Sequence, residues 1–216
     1  MIKVEAIEVF GIEGAMRGMR NPLNSWDKAD TTVSDDILEI GENDLNLATR
    51  LIKAGTEHRK FLRMIHVQMD VIAPLYWWKE ADTYKVGTTA NSCSTMHKIA
   101  AKEFALDDFS HDHLFNDAVV YNGYVSTSVL ECVIGALNEF RNLYLETKDK
   151  RYWWQMIQLL PSSYNQKRTI MLNYEVLTNI YKSRWNHKLD EWHTFCDWIE
   201  ILPYSELITG EKKGDK

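Results

Sequence analysis

Residues 61–80 read FLRMIHVQMDVIAPLYWWKE. In the second half of this run apolar and polar side chains alternate, from His66 and Val67 to Asp70 and Val71, which predicts a strand with one face buried. Ala73-Pro74 ends it. Proline is accepted in a first helical turn, so a short helix over Leu75–Glu80 follows. A small-polar loop over Thr83–Thr95 comes next, rich in hydroxyls at Thr88, Thr89, Ser92, Ser94 and Thr95. Lys79 and Lys98 flank it, and Lys85 lies within it. Hydroxyls and exposed backbone N–H groups ahead of a helix suit a phosphate, and the same residues suit a simple N-cap, with Ser92 or Ser94 capping a helix over Met96–Phe104.

Working outward, residues 2–10 alternate well enough for a strand. Residues 11–42 hold Gly11, Gly14, Gly18 and Asn21-Pro22, which predicts a long loop or flap with room for one short helix. A helix is expected from Asp44 to Lys53, stopping at Gly55. Val129, Val133, Leu137, Phe140 and Tyr144 fall at helical spacing within a long amphipathic helix over 125–147. Helices also fit 151–159, 171–184 and 188–201, and 211–216 reads as a solvated tail. There is no βαβ alternation and no repeat. The expected fold is therefore α+β, a small antiparallel or mixed sheet with several long helices, in one domain over residues 1–210.

The chain has 216 residues, of which 45% are hydrophobic and 26% charged, so it can bury a sizeable core. Its net charge of −6 disfavours a non-specific nucleic-acid or membrane-surface binder. No apolar run approaches the roughly 18 residues needed to span a bilayer. Cys93, Cys132 and Cys196 are too few and too scattered for a disulfide framework, which points to a reduced, cytoplasmic protein. Eight Trp and ten Tyr suit either a thick core with a subunit interface or a pocket for a planar ring. Walker, G-x-G-x-x-G, G-x-S-x-G and H-E-x-x-H motifs are all missing. The run Asp107–His113 carries metal-capable groups, but local capping explains them as well, and no metal site is assigned. Asn173 and Arg184 stand eleven residues apart, three helical turns, and so share a face across an apolar strip containing Leu177 and Ile180.

Three of these stretches together resemble the flavin-dependent thymidylate synthase family. The run Val71–Glu80 resembles the strand, Ala-Pro and aromatic run that leads into that family's signature loop. The signature R-H-R-x-x-S-x-N-x-x-S-x-R has an echo in Thr89-x-Asn91-x-x-Ser94. Leu160-Pro161 is followed twelve residues later by Asn173, then by Leu177 and Arg184, a spacing similar to the family's, ahead of Leu189-Asp190-Glu191-Trp192. The likeness spans roughly residues 44–205. It also places helices over Asn91–His97 and Val125–Thr147.

The departures fall on cations. The R-H-R triplet is matched by Thr83-Tyr84-Lys85 in one register and by Tyr84-Lys85-Val86 in the other, and only Lys85 keeps a positive charge. Ile157, Glu175 and either Thr95 or Met96 occupy further arginine positions. Lys is a flexible point charge rather than a planar fork, so bidentate phosphate recognition is weakened.

The resemblance implies a homotetramer binding FAD, with a deoxyuridine nucleotide as substrate, methylenetetrahydrofolate as carbon donor and NADPH as reductant. It implies no side-chain nucleophile. Carried over by residue, Arg184 and Lys85 serve the chemistry; Asn91, Asn173, Tyr84, His187 and Thr89 hold the flavin or ribose. Ser94, Glu80 and Arg184 line the nucleotide pocket. The alternative is a non-catalytic relative that keeps the nucleotide- or flavin-binding fold without the reaction.

Overall fold

The computed structural model describes residues 2–35 and 37–210. The expected tail at 211–216 lies outside them.

β1 (Lys3–Phe10) leads through Gly11 into α1 (Ile12–Met19). Gly11 sits at φ +90, and a Cβ there would lie 2.3 Å from the Met64 carbonyl oxygen, so only glycine fits. In α1, Ile12, Ala15, Met16 and Met19 are buried at i, i+3, i+4 and i+7 spacing. The glycines of this stretch conceal that stripe from a sequence reading. Two 3₁₀ turns follow, then the antiparallel ribbon of β2 (Thr32–Ser34) and β3 (Ile37–Glu39), in which Val33 faces Leu38. Residues 11–42 are therefore largely structured, where the sequence predicts a flap.

α2 (Glu42–Lys53) is held at its start by Asp30, whose carboxylate accepts from the Asn43 and Asp44 N–H groups at 2.8 and 2.9 Å. Asp44 is itself buried and accepts from Arg20 Nε at 2.6 Å, from Thr31 Oγ1 at 2.6 Å and from the Thr31 and Asp30 N–H groups. Burial alone would raise its pKa, but the hydrogen bonds from Thr31, Arg20 and Asp30 outweigh it and hold the carboxyl below its ordinary value. The stability this site contributes is thus present above the ordinary carboxylate range and lost as pH falls through the folded-state value. Asp44→Asn should lower the urea midpoint at pH 7 and flatten its acid dependence. An unchanged acid limb in that variant would show that Asp44 does not govern it.

β4 (His66–Pro74) follows a 3₁₀ turn over Lys60–Met64. Val67, Met69, Val71 and Ala73 are each fully buried, the alternation the sequence predicts. α3 (Leu75–Ala81) buries Trp77 and Trp78. β5 (Thr89–Ser92) is exposed along its whole length, so its polar residues carry no period-2 signal. Its last two residues, Asn91 and Ser92, fall where the resemblance places the start of a helix over Asn91–His97. α4 (Thr95–Lys98) is a single turn capped by Ser94, whose Oγ accepts from the His97 N–H at 3.1 Å. It is shorter than the helix the sequence predicts over Met96–Phe104, and side chains bond carbonyls of this stretch: Trp153 Nε1 donates to Met96 O at 3.1 Å and Arg141 Nε to Ala100 O at 3.1 Å.

β6 (Val119–Tyr121) and β7 (Tyr124–Val125) form a hairpin around Asn122-Gly123, both at positive φ. α5 (Ser126–Thr147) ends where Lys148 turns to φ +58. α6 (Lys150–Leu159) begins at Asp149, which accepts from the Arg151 N–H at 2.8 Å. β8 (Asn165–Asn173) is one of the strands a sequence reading misses. Gln166, Ile170 and Leu172 are buried, but polar Gln166 and Arg168 occupy inward positions and hide the alternation. α7 (Tyr174–Arg184), α8 (Asp190–Glu200) and α9 (Glu206–Thr209) complete the chain. The four-stranded sheet has the order β1-β4-β8-β5, so the architecture is α+β with a small sheet. No helix among the described residues is long and apolar enough to cross a membrane.

The chain divides into two compact units. One comprises Val71–Thr83 and Asn91–Arg168, together with Ile2 and Lys3. Its core joins Leu130, Ile134 and Leu137 of α5 to Met156 of α6, with Ile99, Phe104 and Phe109. Asn138 closes it by bonding the Phe104 N–H and carbonyl at 2.8 and 2.9 Å. The other comprises Val4–Asp70, Tyr84–Ala90 and the chain from Thr169 onward. There Tyr174, Leu177, Trp192 and Ile199 are fully buried, alongside Met16, Leu62 and Ile65.

Candidate functional site

In the second unit, Asn173 ends β8 and caps α7, its Oδ1 accepting from the Val176 N–H at 3.0 Å. Loop 84–90 closes against this cap. Gly87, at φ +82, lies so near that a Cβ would sit 2.8 Å from Asn173 Nδ2. Gly87→Ala should cost about 1–2 kcal/mol, the penalty of a left-handed non-glycine residue, and displace the loop. Chemical denaturation checks this, and a neutral substitution would show that the loop yields freely.

Arg184 is the last residue of α7, three turns from Asn173. Its Nε donates to the Tyr84 hydroxyl at 3.0 Å. Its guanidinium lies 5.0 Å from the Trp192 ring centroid and 5.7 Å from that of Tyr84. Trp192 is fully buried, so the stack rests on a fixed ring. His187 sits one turn on: its N–H donates to Arg184 O at 3.1 Å, its Nδ1 accepts from the Leu189 N–H at 3.2 Å, and its ring meets Trp192 edge-on. Tyr84, Arg184 and His187 are thus brought together, with Trp192 as the element the sequence reading had not placed in the site. Its position in Leu189–Trp192, just beyond Arg184, was the available signal.

Lys85 is exposed at the loop tip, and Thr89 is exposed on β5. The buried Thr88 hydroxyl has no hydrogen-bond partner. This orphan group, beside a loop that admits only glycine at 87, suits a polar ligand, which the resemblance would make the ribityl or ribose part of a flavin nucleotide. Tyr84, Thr89, His187 and the Asn173 amide are the residues of this unit that would hold it.

One of the departures from the resemblance's cations is rebuilt as an ion pair. Glu175, where the resemblance has an arginine, is buried and pairs with buried Arg59: Nε–Oε2 is 2.9 Å and Nη2 donates to Oε1 at 3.0 Å. Arg59 is therefore committed inside the fold. In the first unit Arg168 is likewise engaged, with its guanidinium 4.2 Å from the Trp78 centroid, Nη1 donating to Asp82 at 2.7 Å and Nε to Gln166 at 2.9 Å.

The remaining predicted residues, Asn91, Ser94 and Glu80, belong to that first unit. Asn91 is exposed on β5, Ser94 caps α4, and the Glu80 carbonyl accepts from Thr83 Oγ1 at 2.7 Å. Ile157 packs against the core of this unit. In the Asp107–His113 run, Asp108 accepts from the Ala105 N–H and pairs with Lys102. No three His, Cys, Asp or Glu residues among the described ones are placed to share a metal ion. Cys196 is buried, and burial pushes its thiol up to about 12, which disfavours a thiolate nucleophile there.

No family model matches the sequence, and no curated protein matches it. Solved structures do share the fold. The flavin-dependent thymidylate synthase ThyX from Helicobacter pylori, complexed with FAD and dUMP, superposes with a TM-score of 0.68 at 18% identity, covering 96% of this chain and 98% of that one. A UMP/dUMP methylase, PolB from Streptomyces cacaoi, bound with 5-Br dUMP, gives a TM-score of 0.64 at 14% identity, covering 97% of this chain and 95% of that one. The chain has the fold of the flavin-dependent thymidylate synthases.

Proposed function

We propose that this protein binds a deoxyuridine nucleotide beside FAD and transfers a one-carbon unit to C5 of the pyrimidine. The observation that carries this reading is Arg184. It stands at the spacing from Leu160-Pro161 and Asn173 that resembles the family's, and its guanidinium is oriented by Tyr84 and Trp192. A planar cation fixed in this way suits a phosphate or pyrimidine oxygen. Lys85, on the loop packed against the Asn173 cap, adds a second, mobile charge. When bound, FAD would supply the redox capacity, with the carbon from methylenetetrahydrofolate and the reducing equivalents from NADPH. The chain's own residues bind and orient: in the second unit Arg184 serves the nucleotide and Asn173, Tyr84, Thr89 and His187 the flavin, and in the first unit Ser94 and Glu80 serve a nucleotide and Asn91 a flavin. A cytoplasmic homotetramer belongs to the same proposal. Val119, Val120 and Tyr121 of the hairpin, with Phe115, are exposed and offer apolar area for an interface.

A second reading, binding without turnover, is favoured by Glu175 and Arg168, since one replaces a cation and the other is held by Trp78 and Asp82. Calorimetric titration of the FAD-loaded protein with dUMP, followed by an assay for thymidylate with methylenetetrahydrofolate and NADPH, separates the two. Binding with turnover supports the first reading, binding alone the second, and neither removes both.

A further inference from the structure

An open cavity of about 540 Å³ lies in the first unit where α5 turns into α6, within the size range of small-molecule sites. Met96 and Ile99, with Tyr144 of α5 and Trp153 of α6, give it an apolar and aromatic wall. Trp153 is held in place: its Nε1 donates to Met96 O at 3.1 Å, and its ring meets Trp154 edge-on with centroids 4.8 Å apart. Lys148 and Lys150 also line the cavity, as does His97, and no acid does.

Asp149 stands between the two lysines in sequence, but it is engaged elsewhere. Its carboxylate accepts from the Arg151 N–H at 2.8 Å and from Arg151 Nε and Nη2 at 2.8 and 2.6 Å. Lys150 Nζ lies instead 5.7 Å from the Trp153 centroid and 5.8 Å from that of Trp154. An aromatic face attracts an ammonium without neutralising it. Neither lysine joins an ion pair among the described residues.

Lys148 adds an independent observation. It takes φ +58 directly after α5, at the left-handed position where glycine is the unstrained choice. The bond from its N–H to Tyr144 O, at 2.9 Å, uses the backbone alone and would be made equally well by glycine. The backbone therefore bears strain at a residue whose side chain lines the cavity.

We propose that this cavity binds a small aromatic acid, with its ring against Trp153, Tyr144 and Met96 and its carboxylate held by Lys148 and Lys150. The lining contains no Ser, Thr or Arg, the hydroxyls and forks that recognise phosphate, so a carboxylate on an aromatic body suits it better. The site stands independently of the function proposed above.

The test is calorimetric titration with cinnamate, with the uncharged cinnamamide and with inorganic phosphate, on the intact protein and on Lys148→Gly/Lys150→Gln. Both lysines are exposed, so the variant should fold. Cinnamate should bind in a salt-dependent way, about tenfold or more tighter than the amide, and the variant should lose that advantage while binding the amide as before. Lys148→Gly alone should raise the urea midpoint and yet weaken cinnamate, a split that a merely structural lysine would not produce. Equal affinity for acid and amide, or undiminished binding to the double variant, overturns the inference. Phosphate binding as tightly as cinnamate would overturn the aromatic part of it. Displacement of cinnamate by dUMP would overturn it as well, by making the cavity part of a nucleotide site.

Discussion

Glu175→Ala is expected to destabilise the protein by about 3–5 kcal/mol, because it strands Arg59 as a buried charge without its partner. The pair is nearly excluded from solvent, and each of its two ion contacts is about as short as a charged hydrogen bond. The Asn179 amide, 3.4 Å from Arg59 Nη2, is too weak a substitute. Removing both charges should be far milder, so Arg59→Leu/Glu175→Leu is expected to recover most of the loss in urea denaturation. Glu175→Arg should be worse than the alanine variant, because it sets two guanidinium groups against each other. A loss below about 1 kcal/mol in Glu175→Ala would mean that water reaches the pair and that it behaves as a surface contact.

The second large effect concerns Arg184. Arg184→Ala is expected to weaken dUMP binding by about a hundredfold, the loss of one or two charge-assisted contacts, while the fold survives. Arg184→Lys should rescue little. It restores the charge but neither the Tyr84 hydrogen bond in its present geometry nor the guanidinium's place over the Trp192 ring. Titration calorimetry gives the binding, and thermal melting gives the structural part. Loss of stability with unchanged affinity would make Arg184 a packing residue that closes the end of α7.

The sequence was most informative where burial is one-sided and apolar. β4 could be read from its alternation, and Val67, Met69, Val71 and Ala73 are indeed its inward face. α5 was legible from heptad-like spacing, although its apolar stripe is shared between full burial at Leu130, Ile134 and Leu137 and partial burial at Val133 and Phe140. β8 was not legible, because Gln166 and Arg168 turn inward and are satisfied by Cys93, Asp82 and the face of Trp78. Those partners are distant in sequence, so no local pattern announces them. β5 failed for the opposite reason: an exposed, polar edge strand has no periodicity to read.

The candidate site was legible in part. The spacing from Asn173 to Arg184 put both on one helix, whereas only Arg184 lies on α7 and Asn173 ends β8 as the cap of that helix; Tyr84 was named for its place in the loop. The Arg59–Glu175 pair was not foreseeable, since Arg59 lies 116 residues from its partner. Ser94 was marked both as a cap and as a ligand residue. It is the cap of α4, and it also lines a cavity of about 340 Å³ in the first unit.

The most direct test of the proposed function is the visible absorption spectrum of the purified protein, taken as isolated and again after incubation with FAD and desalting. The account predicts a flavin band that survives desalting and shifts when dUMP is added, since the nucleotide is placed beside the flavin. A colourless protein after both treatments, with no spectral response to dUMP, would contradict it and leave a thymidylate-synthase-like fold that no longer serves flavin chemistry.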